Sequence, residues 1–191
     1  MKHSIFAMEL CLRLEPGSVV LTTLRDLVAQ HPETTRPGAK WKMLHHACDI
    51  LIENAQSFDR GCWDFFDTDQ RSLMDYDMWT KGLTTEEGAR EGPSGAADPY
   101  RQEPRYMTFT IALLMMYGTN TERSLSTLCE IPDASLWKRD TFLHILKGLR
   151  VVNFAFVKSD VFYVIPGDET WGLTQADLQH EKFEYLRRIE P

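Results

Sequence analysis

The densest set of groups able to bind a metal or move a proton is His45, His46, Cys48 and Asp49, in a segment that predicts a helix. Imidazole, thiolate and carboxylate are the usual zinc ligands, and His with Asp is a common acid–base pair. At about 100° per residue, Cys48 sits near the centre of the apolar face and His45 at its edge, while Asp49 lies further out and His46 almost opposite. Only His45 and Asp49, four apart, are placed to share a ligand, and a metal site or catalytic set needs more. No HExxH or similar motif supplies the rest. The residues therefore read as a histidine hydrogen-bonded at the rim of the core.

Other candidates weaken in the same way. Asp64, Asp67 and Asp69 suggest calcium, but a calcium loop of the EF-hand type wants Gly at its sixth position and Glu at its twelfth, where this chain has Asp69 and Asp75. They read as solvated loop acids. Asp75 and Asp77 are alternate residues, which diverge on a strand and do not face each other on a helix. Cys11, Cys48, Cys62 and Cys129 form no CxxC pair and read as reduced core thiols. His3, His144 and His180 stand isolated, and no nucleophile elbow or phosphate-cradling glycine loop follows a predicted strand. No catalytic residue, metal ligand or cofactor-binding residue is assigned, and no cofactor is expected.

The segment 58–79 is different. It holds six large aromatics, Phe58, Trp63, Phe65, Phe66, Tyr76 and Trp79, among the acids Asp59, Asp64, Asp67, Asp69, Asp75 and Asp77. That exceeds what a short connection needs, and aromatics anchor protein interfaces while acids steer toward basic partners. Trp63, Phe66, Tyr76 and Trp79 are the candidate partner-binding residues. The competing reading is that Trp63, Phe65 and Phe66 complete the core. Short helical turns are expected here.

The elements around these groups follow from period. Phe6, Met8, Leu10, Leu12 and Leu14 alternate with Glu9 and Arg13, which predicts a strand with one buried face. Pro16-Gly17-Ser18 ends it, and Ser18 is placed to cap a helix over 18–31. A second helix, about 39–56, presents Trp41, Leu44, Cys48, Leu51, Ile52 and Ala55 on one face. Residues 82–105, rich in Gly and Pro, read as a long exposed loop. The apolar run 106–117 predicts a strand buried on both faces at the centre of a sheet. A short helix near Leu125 and Leu128 and a longer one through Phe142, Ile145, Leu146 and Leu149 follow. Val151–Val157 and Val161–Ile165 predict either a hairpin or one long bulged strand. Thr174 is placed to cap a short helix through Leu178, and a last element covers 183–189. The expectation is one α/β or α+β domain over 1–191, a single sheet of about three to five strands covered by helices.

Composition narrows the function classes. The 191 residues carry 21 Lys and Arg against 28 Asp and Glu, a formal charge of −7, with 43% hydrophobic residues. A net negative chain without a basic stripe argues against nucleic-acid binding. The N-terminal residues lack the uncharged apolar core of a signal peptide, and the apolar run 106–120 is shorter than the roughly 20 residues of a membrane-spanning helix. An intracellular protein, soluble or peripheral, is expected.

The order of these segments resembles the domain of unknown function 1517 family of cyanobacteria and chloroplasts. The resemblance is carried by MELCLRLEPGSVVLTTLRDLVAQ, KWKMLHHACDILIENAQSF, EPRYMTFTIALLMMYG and the closing DVFYVIPGDETWGLTQADLQHEKFEYLRRI. The chain departs from the family pattern in its missing anchoring segment and in Trp41 with the His45-His46 pair. The resemblance implies a noncatalytic, photosynthesis-associated protein of the chloroplast stroma or cyanobacterial cytoplasm, peripheral to the thylakoid machinery, with no active-site residues to transfer. Two function classes result: an interaction or regulatory subunit held by a protein partner in a larger complex, and, alternatively, a small enzyme or ligand-binding domain using His45, Asp49 and nearby acids.

Overall fold

The computed structural model describes residues 2–31, 36–81, 103–168 and 171–191. Two long strands, β1 (His3–Leu14) and β3 (Arg105–Met116), pair antiparallel along their whole length. β2 (Phe58–Phe66) lies on the other side of β1, β4 (Val157–Ile165) outside β3, and the two-residue β5 (Arg187–Arg188) against Arg60 and Gly61. The order is β4-β3-β1-β2-β5 and every neighbouring pair is antiparallel, so the fold is α+β with one five-stranded sheet. β1, not β3, is the middle strand.

Helices cover both faces. On the first, α1 (Val20–Ala29), α2 (Pro37–Glu53), α4 (Asn120–Leu128) and α5 (Arg139–Gly148) bury Leu24, Leu44, Leu51, Leu125, Phe142 and Ile145 against Phe6, Met8, Leu10 and Leu12 of β1 and Phe109 and Ile111 of β3. The turn after β1 uses Gly17 at φ +81, and Ser18 Oγ accepts from the Val20 amide at 3.3 Å, as its position before α1 predicts. Gly61 leaves room for Phe142, since a Cβ there would sit 2.8 Å from the ring.

The second face departs from expectation. Alternation predicts solvent beside Glu9, yet β1 is buried on both sides. Ile5, Ala7 and Cys11 pack with Tyr106, Ala112, Leu114 and Tyr163 beneath α3 (Asp69–Lys81) and the C-terminal residues Leu173, Leu178, Phe183 and Leu186. The cover arrives from distant sequence, which a local period does not register. The segment 58–79 is likewise a strand followed by a helix, not short turns: its aromatics are divided between two elements.

Val151–Phe156 forms no strand; 3-10 turns at Leu149–Val151 and Phe154–Phe156 lead into one strand, β4, whose register against β3 shifts at Leu114/Met115. Thr174 and Asp177 cap each other: the Thr174 amide donates to Asp177 Oδ2 at 2.8 Å and the Asp177 amide to Thr174 Oγ1 at 3.2 Å. Most of the loop expected at 82–105 lies outside the described residues.

Candidate functional site

Side chains of one face of a sheet line up in rows across the strands. On the second face one row runs Tyr163, Thr110, Glu9, Cys62, from β4 to β2. Glu9 is wholly buried at its middle, and its Oε2 accepts a hydrogen bond from the Tyr185 hydroxyl at 2.7 Å. Its Oε1 and the hydroxyls of Thr108 and Thr110 make no hydrogen bond among the described residues. Burial raises the Glu9 carboxyl above its ordinary value; the hydroxyls of Tyr185, Thr108 and Thr110 act in the opposite sense. The threonines lie close enough to contribute to the field, but outside hydrogen-bond geometry. No lysine, arginine or histidine forms an ion pair with Glu9 among the described residues.

A pocket of about 590 Å³ opens next to this row. β5 pairs only with Arg60 and Gly61, so β2 beyond them is bordered by side chains from both faces: Cys62, Asp64 and Phe66 from the second and Trp63 from the first. α3 contributes Arg71, Asp75, Met78 and Trp79, and Trp137, Tyr163, Lys182 and Tyr185 complete the wall. Trp79 and Tyr185 meet edge to face, with ring centroids 6.1 Å apart. The Arg71 guanidinium lies over the Phe66 ring, 3.4 Å from its centroid, and its Nε reaches Asp75 Oδ2 at 3.4 Å. Asp64 is exposed at the pocket rim, where partial desolvation raises its carboxyl and the Phe65 amide and Arg71 oppose. Cys62, Tyr163 and Tyr185 border the pocket and surround Glu9, which lies one side-chain layer behind it.

Three of the four candidate partner-binding residues, Trp63, Phe66 and Trp79, thus border one pocket. Tyr76 does not: it is buried on the inner side of α3 and its hydroxyl donates to Ser159 Oγ at 2.7 Å. Trp63 is also anchored structurally, for its Nε1 donates to the Leu136 carbonyl at 3.2 Å. Glu9, Trp137, Tyr163 and Tyr185 escaped the sequence reading. The available signal was Glu9 itself, an acid within the apolar strand IFAMELCLRL.

The His45 cluster lies on the opposite layer. His45 stacks on Trp41 with centroids 3.7 Å apart and faces the Arg150 carbonyl at 3.4 Å, while Asp49 pairs with the Arg150 guanidinium. Asp49 borders a cleft with Glu53, Lys147 and Arg150, but His45 does not, so the two do not converge. Asp64 and Asp67 are exposed as expected; Asp69, partly exposed, accepts from His3 Nδ1 at 2.8 Å and from the His3 amide at 2.7 Å. His3 is therefore not isolated. Among the described residues no three His, Cys, Asp or Glu are grouped to hold a metal.

The four cysteines are unbridged, and burial raises their thiols, Cys48 and Cys129 to about 12, which disfavours the nucleophilic thiolate. No described helix is long and apolar enough to cross a membrane. No family model, curated protein or solved structure matches this chain.

Proposed function

We propose that this chain is a noncatalytic binding domain that engages its partner by taking an apolar or aromatic group into the pocket between β2, α3 and the C-terminal turns. One observation carries the reading: Trp63, Trp79 and Trp137 converge with Phe66 and Tyr185 on an open pocket of about 590 Å³. Large rings left half-exposed around a concavity are the usual anchors of recognition. Met74 and Met78 extend the apolar surface along the outer side of α3, both 61% exposed, and methionine adapts readily to a partner's shape. The family resemblance supports a partner within a larger photosynthetic assembly. The alternative enzyme built on His45 and Asp49 gains no support from geometry, because both residues are engaged by Arg150.

The test is ligand-observed NMR with a panel of aromatic and aliphatic fragments, run on the parent and on Trp79→Ala. Trp79 is the cleaner probe, because Trp63 also holds Leu136. Fragment signals should be lost in the variant while its circular dichroism stays unchanged. Fragments that bind both proteins equally would refute the pocket.

A further inference from the structure

We propose that the occupant of this pocket is an organic cation: a protonated or quaternary amine on an apolar body, held among Trp63, Trp79, Trp137 and Tyr185, with Asp64 and Glu9 supplying the opposing charge. The inference rests on the binding-pocket reading and names the chemical class of its ligand.

Aromatic faces are electronegative and attract cations, most strongly where water is excluded. The charges lining the pocket leave the choice to their pairing. Asp64, Asp75, Arg71 and Lys182 line the pocket and cancel in sum. Arg71 is engaged by Asp75 and Phe66, and Lys182 Nζ lies 5.1 Å from the centroid of the Phe183 ring.

Asp64 Oδ1 accepts from the Phe65 amide at 3.1 Å and has no ion-pair partner among the described residues. Glu9 then tips the balance. It is wholly buried, its Oε1 makes no hydrogen bond among the described residues, and Tyr185 links its carboxyl group to the pocket wall. Burial favours the protonated carboxyl, so beside an anion or a neutral group Glu9 stays uncharged, whereas a cation across one layer of side chains stabilises its carboxylate at low dielectric and gains the opposing charge.

The ammonium group could belong to a free amine or to a lysine side chain of a protein partner. Titrations monitored by tryptophan fluorescence or calorimetry, on the full chain, separate these cases. The probes are 2-phenylethylamine, its trimethylammonium analogue, neutral 2-phenylethanol and phenylacetate. Both cations should bind about tenfold or more tightly than the alcohol, with phenylacetate weakest. In Glu9→Gln, with circular dichroism unchanged, the preference should shrink to about twofold.

Equal binding of alcohol and amine, or tightest binding of phenylacetate, overturns the cation inference and leaves the pocket reading standing. If none of the four binds and Trp79→Ala alters no fragment signal, the pocket reading fails with it. A blocked Gly-Lys-Gly peptide that binds more tightly than phenylethylamine, and loses binding on Nε-acetylation, supports a protein lysine; the reverse order supports a free amine.

Discussion

Asp160 on β4 and Glu9 on β1 place carboxylates on opposite faces of the same sheet. Asp160, with its side chain 2% exposed, shares the first face with Leu113 and receives two basic partners: His31 Nε2 at 2.6 Å from Oδ2, and Lys40 on Oδ1. The group joins the end of α1 and the start of α2 to β4. Among the described residues Glu9 receives one hydroxyl from Tyr185 and no cation, and the threonine hydroxyls beside it make no hydrogen bond. The first face has been closed by apolar packing, and its buried Asp160 is matched by two cations. The second keeps a carboxylate only partly satisfied, next to an open aromatic pocket. Buried charge without a partner costs stability, and such departures concentrate where a protein binds or reacts. The contrast therefore separates a face built for stability from a face carrying a site.

The sharpest way to break this comparison is to remove both acids in turn. Asp160→Ala leaves His31 and Lys40 facing each other without their anion, and should cost about 3 kcal/mol, or roughly 6–12 °C in Tm. A change under about 1 kcal/mol in denaturant melts would show that the triad is not structural.

Glu9→Gln should do the reverse, leaving stability at neutral pH unchanged or raising it by about 1 kcal/mol, because an uncompensated buried carboxylate is replaced by a neutral amide able to donate to Thr108 or Thr110. The pH dependence gives a second reading. The folded-state value of Glu9 is raised above its ordinary 4.5, so between the two values the folded protein holds the proton more often than the unfolded chain does. The Glu9 contribution is fully present below 4.5 and is lost as pH climbs through the raised value. The advantage of Glu9→Gln over the parent should therefore grow with pH across that window. A gap that shrinks with pH would mean Glu9 is charge-compensated in the folded state.

The smallest effect is expected at Asp69, where His3 ties the start of β1 to the start of α3. Hydrogen bonding from His3 lowers this carboxyl below its ordinary 3.8. Its contribution is present above 3.8 and is lost as pH falls through the depressed value, opposite in sign to Glu9. Asp69→Asn should lower stability slightly above that window and flatten the acid limb of the profile; an acid limb unchanged from the parent would contradict the assignment.

Elements with one clear period were legible in the sequence. The alternation of Phe6, Met8, Leu10 and Leu12, the helical stripe of Leu44, Cys48 and Leu51, and the apolar run in β3 each state a local geometry and a buried side. The aromatic surplus of 58–79 was visible too, and three of its residues do meet at one pocket. The division of that segment into β2 and α3 was not, because acids and aromatics are interleaved there without a clean period.

Sequence by itself determined which face of each regular element is apolar, since side-chain direction repeats every two residues on a strand and every 3.6 or so on a helix. Only the tertiary structure decided that the second face of β1 is also covered and that Glu9 is buried. The residue that bonds Glu9 is Tyr185, 176 positions away. No local pattern carries information across that distance; packing of α3 and the C-terminal turns onto the sheet brings the two together.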